Sequence, residues 1–107
     1  MGGQKIRRID ERIVRIKKAL QEIGPMRPGS LTRQYRDPQA RSGPYWQISY
    51  TRQMRSRTEY VRPDWVAETR RQIVAYKRFK RFVGEWVNLG IERSQLLMRI
   101  EKATRSR

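Results

Sequence analysis

The stretch from Gly29 to Pro63, GSLTRQYRDPQARSGPYWQISYTRQMRSRTEYVRP, decides the fold. Its β-branched and aromatic residues alternate with polar ones, and turn-forming residues interrupt it, which is typical of short antiparallel strands. We predict three strands over Ser30–Arg36, Tyr45–Arg52 and Arg57–Arg62, with a long polar turn over 37–44 and a tight turn over 53–56.

The middle strand indicates how this sheet is covered. Side chains alternate between the two faces of a strand, so Trp46, Ile48 and Tyr50 share one face, and Tyr45 lies on the other with the polar residues. A sheet of three short strands is marginal alone and needs a helix packed on it. We therefore expect Trp46 and Ile48 to pack on a helix, and the arginines of the strands to lie on the opposite, solvated face.

The first flanking segment, residues 5–23, predicts an amphipathic helix. Apolar residues recur at spacings of three and four, the spacing of a helical seam. These residues are Ile6, Ile9, Ile13, Ile16, Leu20 and Ile23. Gly24-Pro25 predicts the end of the helix. Two interpretations of the seam stay open: it packs within the chain, or it joins two copies of the protein.

The second flanking segment, residues 64–103, predicts a helix about twice as long. Asp64 suits either the N-cap position or the first turn, where a negative charge interacts favourably with the helix dipole. Weak helix formers occur near residues 88–90, so a kink or break there is the alternative to a continuous helix. We expect the first helix to pack antiparallel on part of the second, which leaves the excess length for a partner protein or a second copy.

These elements together predict an α+β fold in a single domain over residues 1–107, with a three-stranded antiparallel meander over 30–62 between the two helices. No apolar run approaches the roughly 18 residues of a membrane span. No signal-peptide pattern follows Met1. We therefore expect a cytoplasmic protein with no membrane partner.

Charge is the strongest indication of function. The 107 residues include 26 Lys and Arg against 10 Asp and Glu, a net charge of +16. Self-repulsion of that size opposes compaction and favours an anionic partner. Arg greatly outnumbers Lys, which suits bidentate phosphate contact. Nucleic acid, either DNA or RNA, is therefore the expected partner. The alternative is a structural or adaptor subunit whose helices assemble with a larger protein or ribonucleoprotein.

Basic residues concentrate in the strands, in their turns and on one flank of the long helix. The candidate nucleic-acid-binding residues are Arg33, Arg36, Arg41, Arg52, Arg55, Arg57, Arg70, Arg71, Lys77, Arg78 and Arg81. If the sheet packs its Trp46 face on the long helix, the strand and helix sets can border one surface. Tyr35 and Tyr45 are candidates for stacking on unpaired bases. The competing interpretation of each basic run is a solvated charged face.

The chain contains no cysteine and no histidine. Disulfides, thiolate or imidazole metal ligands, and Cys or His nucleophiles are therefore excluded. The ten acidic residues are scattered, and the adjacent Asp10 and Glu11 project about 100° apart on a helix, which does not suit a two-metal site. We expect neither enzymatic activity nor a metal or cofactor.

Several landmarks occur in a recognisable order: Gly29-Ser30-Leu31 opens the first strand, Gly43-Pro44-Tyr45 opens the second, and Thr58-Glu59-Tyr60-Val61 closes the third, followed by Tyr76 and Phe79. Over about residues 13 to 97 this order resembles a family of small bacterial proteins known only as a domain of unknown function, often encoded near mobile-element genes. Family members usually carry a cysteine cluster between the first two strands, which looks like a metal-binding knuckle. Here that place, Arg36 to Ser42, has no cysteine, so the resemblance implies the fold order but not metal binding.

The cysteine-free turn leads to a first prediction. Incubating the purified protein with a chelator is expected to change neither its melting temperature nor its binding to nucleic acid, because the turn offers no thiolate or imidazole ligands. Thermal unfolding and metal analysis check this. Stoichiometric zinc in the purified protein would contradict it.

Overall fold

A computed structural model describes residues 2–105 of the chain. The elements in order are α1 (Gly2–Gln21), β1 (Ser30–Asp37), β2 (Ser42–Arg52), β3 (Arg55–Val61), a 3-10 turn (Pro63–Trp65) and α2 (Val66–Arg105). The strands form one antiparallel sheet in the order β1-β2-β3. The predicted α+β fold is confirmed.

The first hairpin is longer, and its turn shorter, than predicted. Pairing continues to Asp37 and Ser42, so the turn comprises only residues 38–41. The Asp37 carboxylate accepts a hydrogen bond from the backbone N–H of Ala40 at 3.2 Å, which closes the turn locally. A side chain that satisfies the backbone in this way explains why a polar stretch forms a tight connection.

The second hairpin also closes more tightly than the sequence predicts. Arg52 of β2 pairs directly with Arg55 of β3, so the turn consists of Gln53 and Met54 alone. Both turn residues have positive φ, 52° and 64°. Two residues of this conformation match the twist of the flanking strands, which accounts for the start of β3 at Arg55 rather than Arg57.

The helix ends differ from the predicted bounds by a few residues. After Gln21 the backbone N–H groups of Glu22 and Ile23 donate to carbonyls three residues back, at 3.2 Å each, so the last turn tightens before Gly24-Pro25. The 3-10 turn before α2 places Asp64 in the first turn without a side-chain cap. The α-helical pattern of α2 continues through residues 88–90. In the described residues, no helix combines the length and apolar character needed to cross a bilayer.

The chain divides into two compact units. The sheet unit comprises residues Gly24–Arg78, with the three strands and the first part of α2. The helical unit comprises the residues up to Ile23 and those from Phe79 onwards, with α1 and the remainder of α2.

The core of the sheet unit forms where one face of the sheet packs on α2. Ile48 is completely buried, and it clusters with Val61 of β3 and with Val66 and Ile73 of α2. Trp46 packs against this cluster. The expectation that Trp46 and Ile48 pack on a helix is therefore confirmed.

The helical unit pairs α1 antiparallel with the later part of α2. Asp10 forms an ion pair with Arg93 and Arg12 one with Glu85, both at 2.6 Å, while a Cβ built on Gly2 would meet the side chain of Ile100. Ile9 and Ile16 are buried. The seam of α1 therefore packs within the chain, the first of the two interpretations above.

Two glycines give a paired prediction about stability. Gly29 precedes β1 with φ of 146°, and a Cβ there would lie 2.6 Å from Cδ1 of Ile48, so Gly29→Ala is expected to destabilise the protein by about 1–3 kcal/mol. Gly90 lies inside α2, and a Cβ there would meet no atom within 4 Å. Gly90→Ala is expected to stabilise by about 0.5–1 kcal/mol.

Urea unfolding followed by circular dichroism measures both changes. The two variants make the same chemical substitution, so opposite signs would trace the cost at Gly29 to its backbone conformation together with the close approach to Ile48. A neutral or stabilising effect of Gly29→Ala would contradict the packing described here.

Candidate nucleic-acid interface

The strand register assigns the arginines to the two faces of the sheet. Leu31, Ile48 and Glu59 lie opposite one another across the strands. Alternation then places four arginines on the same face as Ile48. These are Arg33, Arg52, Arg55 and Arg57. The expectation that strand arginines lie on the opposite face is wrong for these four, because the buried cluster with α2 occupies only the middle of that face, and its ends stay open to long, solvated side chains.

Three of these arginines meet at the tip of the second hairpin, which we call the arginine tip (Arg52, Arg55 and Arg57). Arg52 and Arg55 are direct cross-strand partners, and Arg57 lies opposite Tyr50. Side chains at directly opposite positions start about 4.5–5.5 Å apart, and like charges there are destabilising. All three arginines are exposed. The arginine tip thus concentrates positive charge that an anion could neutralise.

The acid on the same face of β3 is engaged away from the arginine tip. Glu59 accepts a hydrogen bond from the hydroxyl of Tyr50, and one of its oxygens lies 3.9 Å from Arg27 Nη2. The hydrogen bond to Glu59 holds the neutral phenol and raises the pKa of Tyr50. Arg27 also lies over the Tyr50 ring, 5.0 Å from its centre.

A second basic feature borders a groove beside the start of β1. Arg70 and Lys77 of α2 line this groove of about 480 Å³, together with Ile73, Val74 and residues 29–32. The guanidinium of Arg70 also lies 5.0 Å from the centre of the Trp46 ring. Stacking of this kind fixes the guanidinium plane while leaving its N–H donors available.

The first hairpin holds the remaining strand candidates. Arg33 lies 5.7 Å from the Tyr35 ring, two residues along β1 on the same face. Arg36 lies on the opposite face, where its Cβ would be 3.0 Å from a Cβ on Gly43. Arg41 belongs to the turn, with φ of 51°. The structure therefore does not bring Arg33, Arg36 and Arg41 together on one face.

The two candidate stacking tyrosines lie on different faces of the sheet. Tyr35 shares the face of Ile48, and Tyr45 shares the other face with the hydroxyl pairs between β2 and β3. The sheet therefore does not bring the two candidates together on one stacking surface. Tyr60, which sequence reasoning left out, lies on the face of Tyr45 and is 64% exposed.

Some candidate cations on α2 already have partners. Arg71 forms an ion pair with Glu68 at 2.9 Å, one helical turn away. Arg81 lies 5.5 Å from the ring of Phe82 and belongs to the helical unit. Lys77 and Arg78 are exposed on the part of α2 that belongs to the sheet unit. The candidates from the sequence thus divide between the two units, and Arg81 is the one outside the sheet unit.

Sequence reasoning missed Arg27 and Met54. Arg27 lies in the Pro/Gly connector, and its backbone N–H donates to the Gln72 carbonyl at 3.2 Å. Connector residues follow no periodicity, so its role could not be read from a pattern. Met54 is 98% exposed at the arginine tip. The one feature of the sequence that could have identified Met54 is an apolar residue within an arginine-rich turn.

In the helical unit, ion pairs engage other cations. Arg12 donates two hydrogen bonds to Glu85, from Nε at 2.6 Å and from Nη2 at 2.9 Å. The hydrogen bonds from Arg12 lower the pKa of Glu85 below its ordinary value. Lys17 lies over the Trp86 ring at 5.2 Å. These side chains contribute to the pairing of α1 with α2.

The fold and this arrangement define a small, strongly basic α+β protein. The family described as Domain of unknown function (DUF6788) matches residues 6–71, more than half of the chain, and the protein belongs to that family. The match ends early in α2, before Tyr76 and Phe79. No curated protein and no solved structure matches the chain.

The ion pair between Arg12 and Glu85 gives a prediction about pH. Because the pKa of Glu85 is lowered in the folded state, its stabilising contribution is present above the ordinary carboxyl pKa and is lost as the pH falls through the lowered value. Glu85→Gln is therefore expected to lower the melting temperature at about pH 7, and this difference should shrink toward zero as the pH falls below the lowered pKa of Glu85.

Melting curves of both proteins across this pH range test the prediction. Glu92→Gln, another glutamate of α2 in the helical unit, serves as the matched control. A deficit for Glu85→Gln that is independent of pH would show that the ion pair does not stabilise the fold.

Proposed function

We propose that the protein binds nucleic acid, chiefly through phosphate contacts from arginines of the sheet unit, as an accessory protein of a bacterial or mobile-element system. The observation that carries the proposal is the arginine tip, where Arg52 and Arg55 face each other across the hairpin with Arg57 on the same face. The bacterial and mobile-element setting is what the family resemblance implies.

Phosphate is the ligand that best fits the chemistry of the arginine tip. Each guanidinium presents N–H donors in a planar fork, which matches two phosphate oxygens. An anion bound between Arg52 and Arg55 would relieve their mutual repulsion, so binding and local stability would increase together. The Glu59 carboxylate does not compete with this anion for Arg52 and Arg55, since it is engaged with Tyr50 and Arg27.

The groove beside β1 offers a second contact. Arg70 is oriented by Trp46, and Lys77 lies at the same groove. A nucleic-acid backbone that contacted Arg70 and Lys77 as well as the arginine tip would be held at more than one point. Phosphate contacts position a protein but carry no direct sequence information, so similar affinity for unrelated sequences is expected.

A second candidate function, a structural or adaptor subunit, has its own supporting observation. Val87, Ile91 and Met98 of α2 are each more than half exposed, and their spacings of four and seven place them along one stripe of the helix. A partner helix from a larger protein could cover such a stripe. The two functions are compatible, and binding of nucleic acid by the purified protein separates them.

The prediction concerns charge removal at the arginine tip. The triple variant Arg52→Gln, Arg55→Gln, Arg57→Gln is expected to weaken binding equally on two unrelated DNA duplexes. It should also flatten the plot of log affinity against log salt by roughly 0.9 for each phosphate that the variant no longer neutralises. Fluorescence anisotropy over a salt series measures both quantities, and an RNA strand of equal length is tested beside the duplexes.

The matched control removes three exposed arginines from α1, with Arg7→Gln, Arg8→Gln and Arg15→Gln. Both variants carry the same reduction in formal charge, and circular dichroism verifies that both fold. Equal reductions in affinity would mean that the net charge acts diffusely and that the arginine tip is not a site. If the wild-type protein bound neither DNA nor RNA in a salt-dependent way, the proposed function would be wrong and the adaptor function favoured.

A further inference from the structure

The turn of the second hairpin carries an apolar side chain in an unusual position. Met54 is 98% exposed, the highest value among the large apolar side chains of the described residues. It stands at the end of a two-residue turn, directly beyond the facing pair Arg52 and Arg55. An apolar side chain surrounded by water contributes little to the fold.

The backbone of the same turn is unfavourable for its sequence. Gln53 and Met54 both have positive φ, 52° and 64°. Two-residue hairpin turns of this conformation strongly prefer Asn-Gly or Asp-Gly, because those residues tolerate positive φ at low cost. Gln and Met have side chains that make this conformation costly, so the residues of this turn are not those that stabilise a hairpin best.

Three features that do not stabilise the fold thus coincide within four residues: the strained turn, the exposed methionine and the facing arginines. Proteins that depart from local stability rules in this way do so mainly at functional sites. Here the departures share one geometry, since an apolar tip projects beyond a pair of cations on the strands that carry it.

This geometry fits a wedge for duplex DNA. Proteins that bind the minor groove often insert an apolar side chain, methionine included, between adjacent base pairs, and basic residues beside the wedge contact the backbone. Cations are also attracted by the negative potential of a narrow minor groove. Stacking on unpaired bases uses aromatic rings, and the turn has none, so a duplex fits better than a single strand.

Building on the proposed function, we propose that the turn enters the minor groove of duplex DNA. The side chain of Met54 inserts between two base pairs and kinks the duplex, while Arg52 and Arg55 contact phosphates on either side. The protein is then a DNA-bending protein rather than a passive polycation.

The test separates bending from binding. A DNA duplex of about 30 base pairs, labelled at both ends, reports bending by energy transfer, and anisotropy on the same duplex reports affinity. Wild-type protein is expected to raise the energy transfer, consistent with a kink of about 20–90°. Met54→Ala should bind within about tenfold of wild type, because the arginine contacts remain, but should leave the duplex straight. Met54→Leu should restore the kink.

Two further variants control for stability and for removal of a methionine. The double variant Gln53→Asn, Met54→Gly installs the preferred turn and is expected to melt at a higher temperature than wild type while failing to bend DNA. Met98→Ala removes another exposed methionine, from the helical unit, and should bend DNA as wild type does.

Several outcomes would overturn the inference. If wild-type protein binds the duplex without bending it, or Met54→Ala bends it equally, the wedge is wrong although the proposed function stands. Binding only to RNA or to single strands would also show that the wedge is wrong, and the proposed function would again stand. If the protein binds vesicles of anionic phospholipid in a way that depends on Met54, while the duplex stays straight, the wedge is wrong and the turn is a membrane contact. Failure to bind any nucleic acid would overturn the proposed function as well.

Discussion

The packing of Ile48 against α2 is the contact on which the sheet unit depends. Ile48 is completely buried, and the cluster around it joins β2 and β3 to Val66 and Ile73. A three-stranded sheet has little stability of its own, so this one covered face supplies its apolar core. The cluster is small, and this limits which strand positions are buried. Strand positions beyond the cluster stay open to solvent, even though alternation places them on the same face of the sheet as the buried residues.

That limit explains both where sequence reasoning succeeded and where it failed. Alternation in β2 correctly predicted that Trp46 and Ile48 face a helix, because apolar residues of one parity need a cover. The same alternation also assigns Arg52 and Arg57 to the covered face, but composition suggested the solvated one. The sequence shows which residues share a face of a strand, but it does not show how far a helix extends over that face. The extent of α2 over the sheet decides which arginines stay exposed.

The lengths of the two turns depend on interactions of single residues, and the periodicity of the sequence does not show such interactions. The polar run after Arg36 resembled a long loop, yet one hydrogen bond from Ala40 to Asp37 shortens it to four residues. Gln53 and Met54 lack the glycine or asparagine that marks a two-residue turn, so the position of the arginine tip could not be fixed from sequence. The long helices were easier to predict, because their period repeats over many residues and one unusual residue changes little.

The positions of the acidic residues determine where the excess positive charge remains unneutralised. Asp10 and Glu85 pair with arginines where α1 meets α2, and Glu59 is engaged with Tyr50 and Arg27 beside the core. In the described residues, carboxylates thus neutralise cations mainly where elements pack or along single helices, and none forms an ion pair with the arginine tip. A chain that uses its few acids in this way stabilises its packed regions and keeps unneutralised charge at the hairpin end. Charge that remains there opposes folding, and this cost is the physical basis for the proposal that an anionic partner binds at the hairpin end.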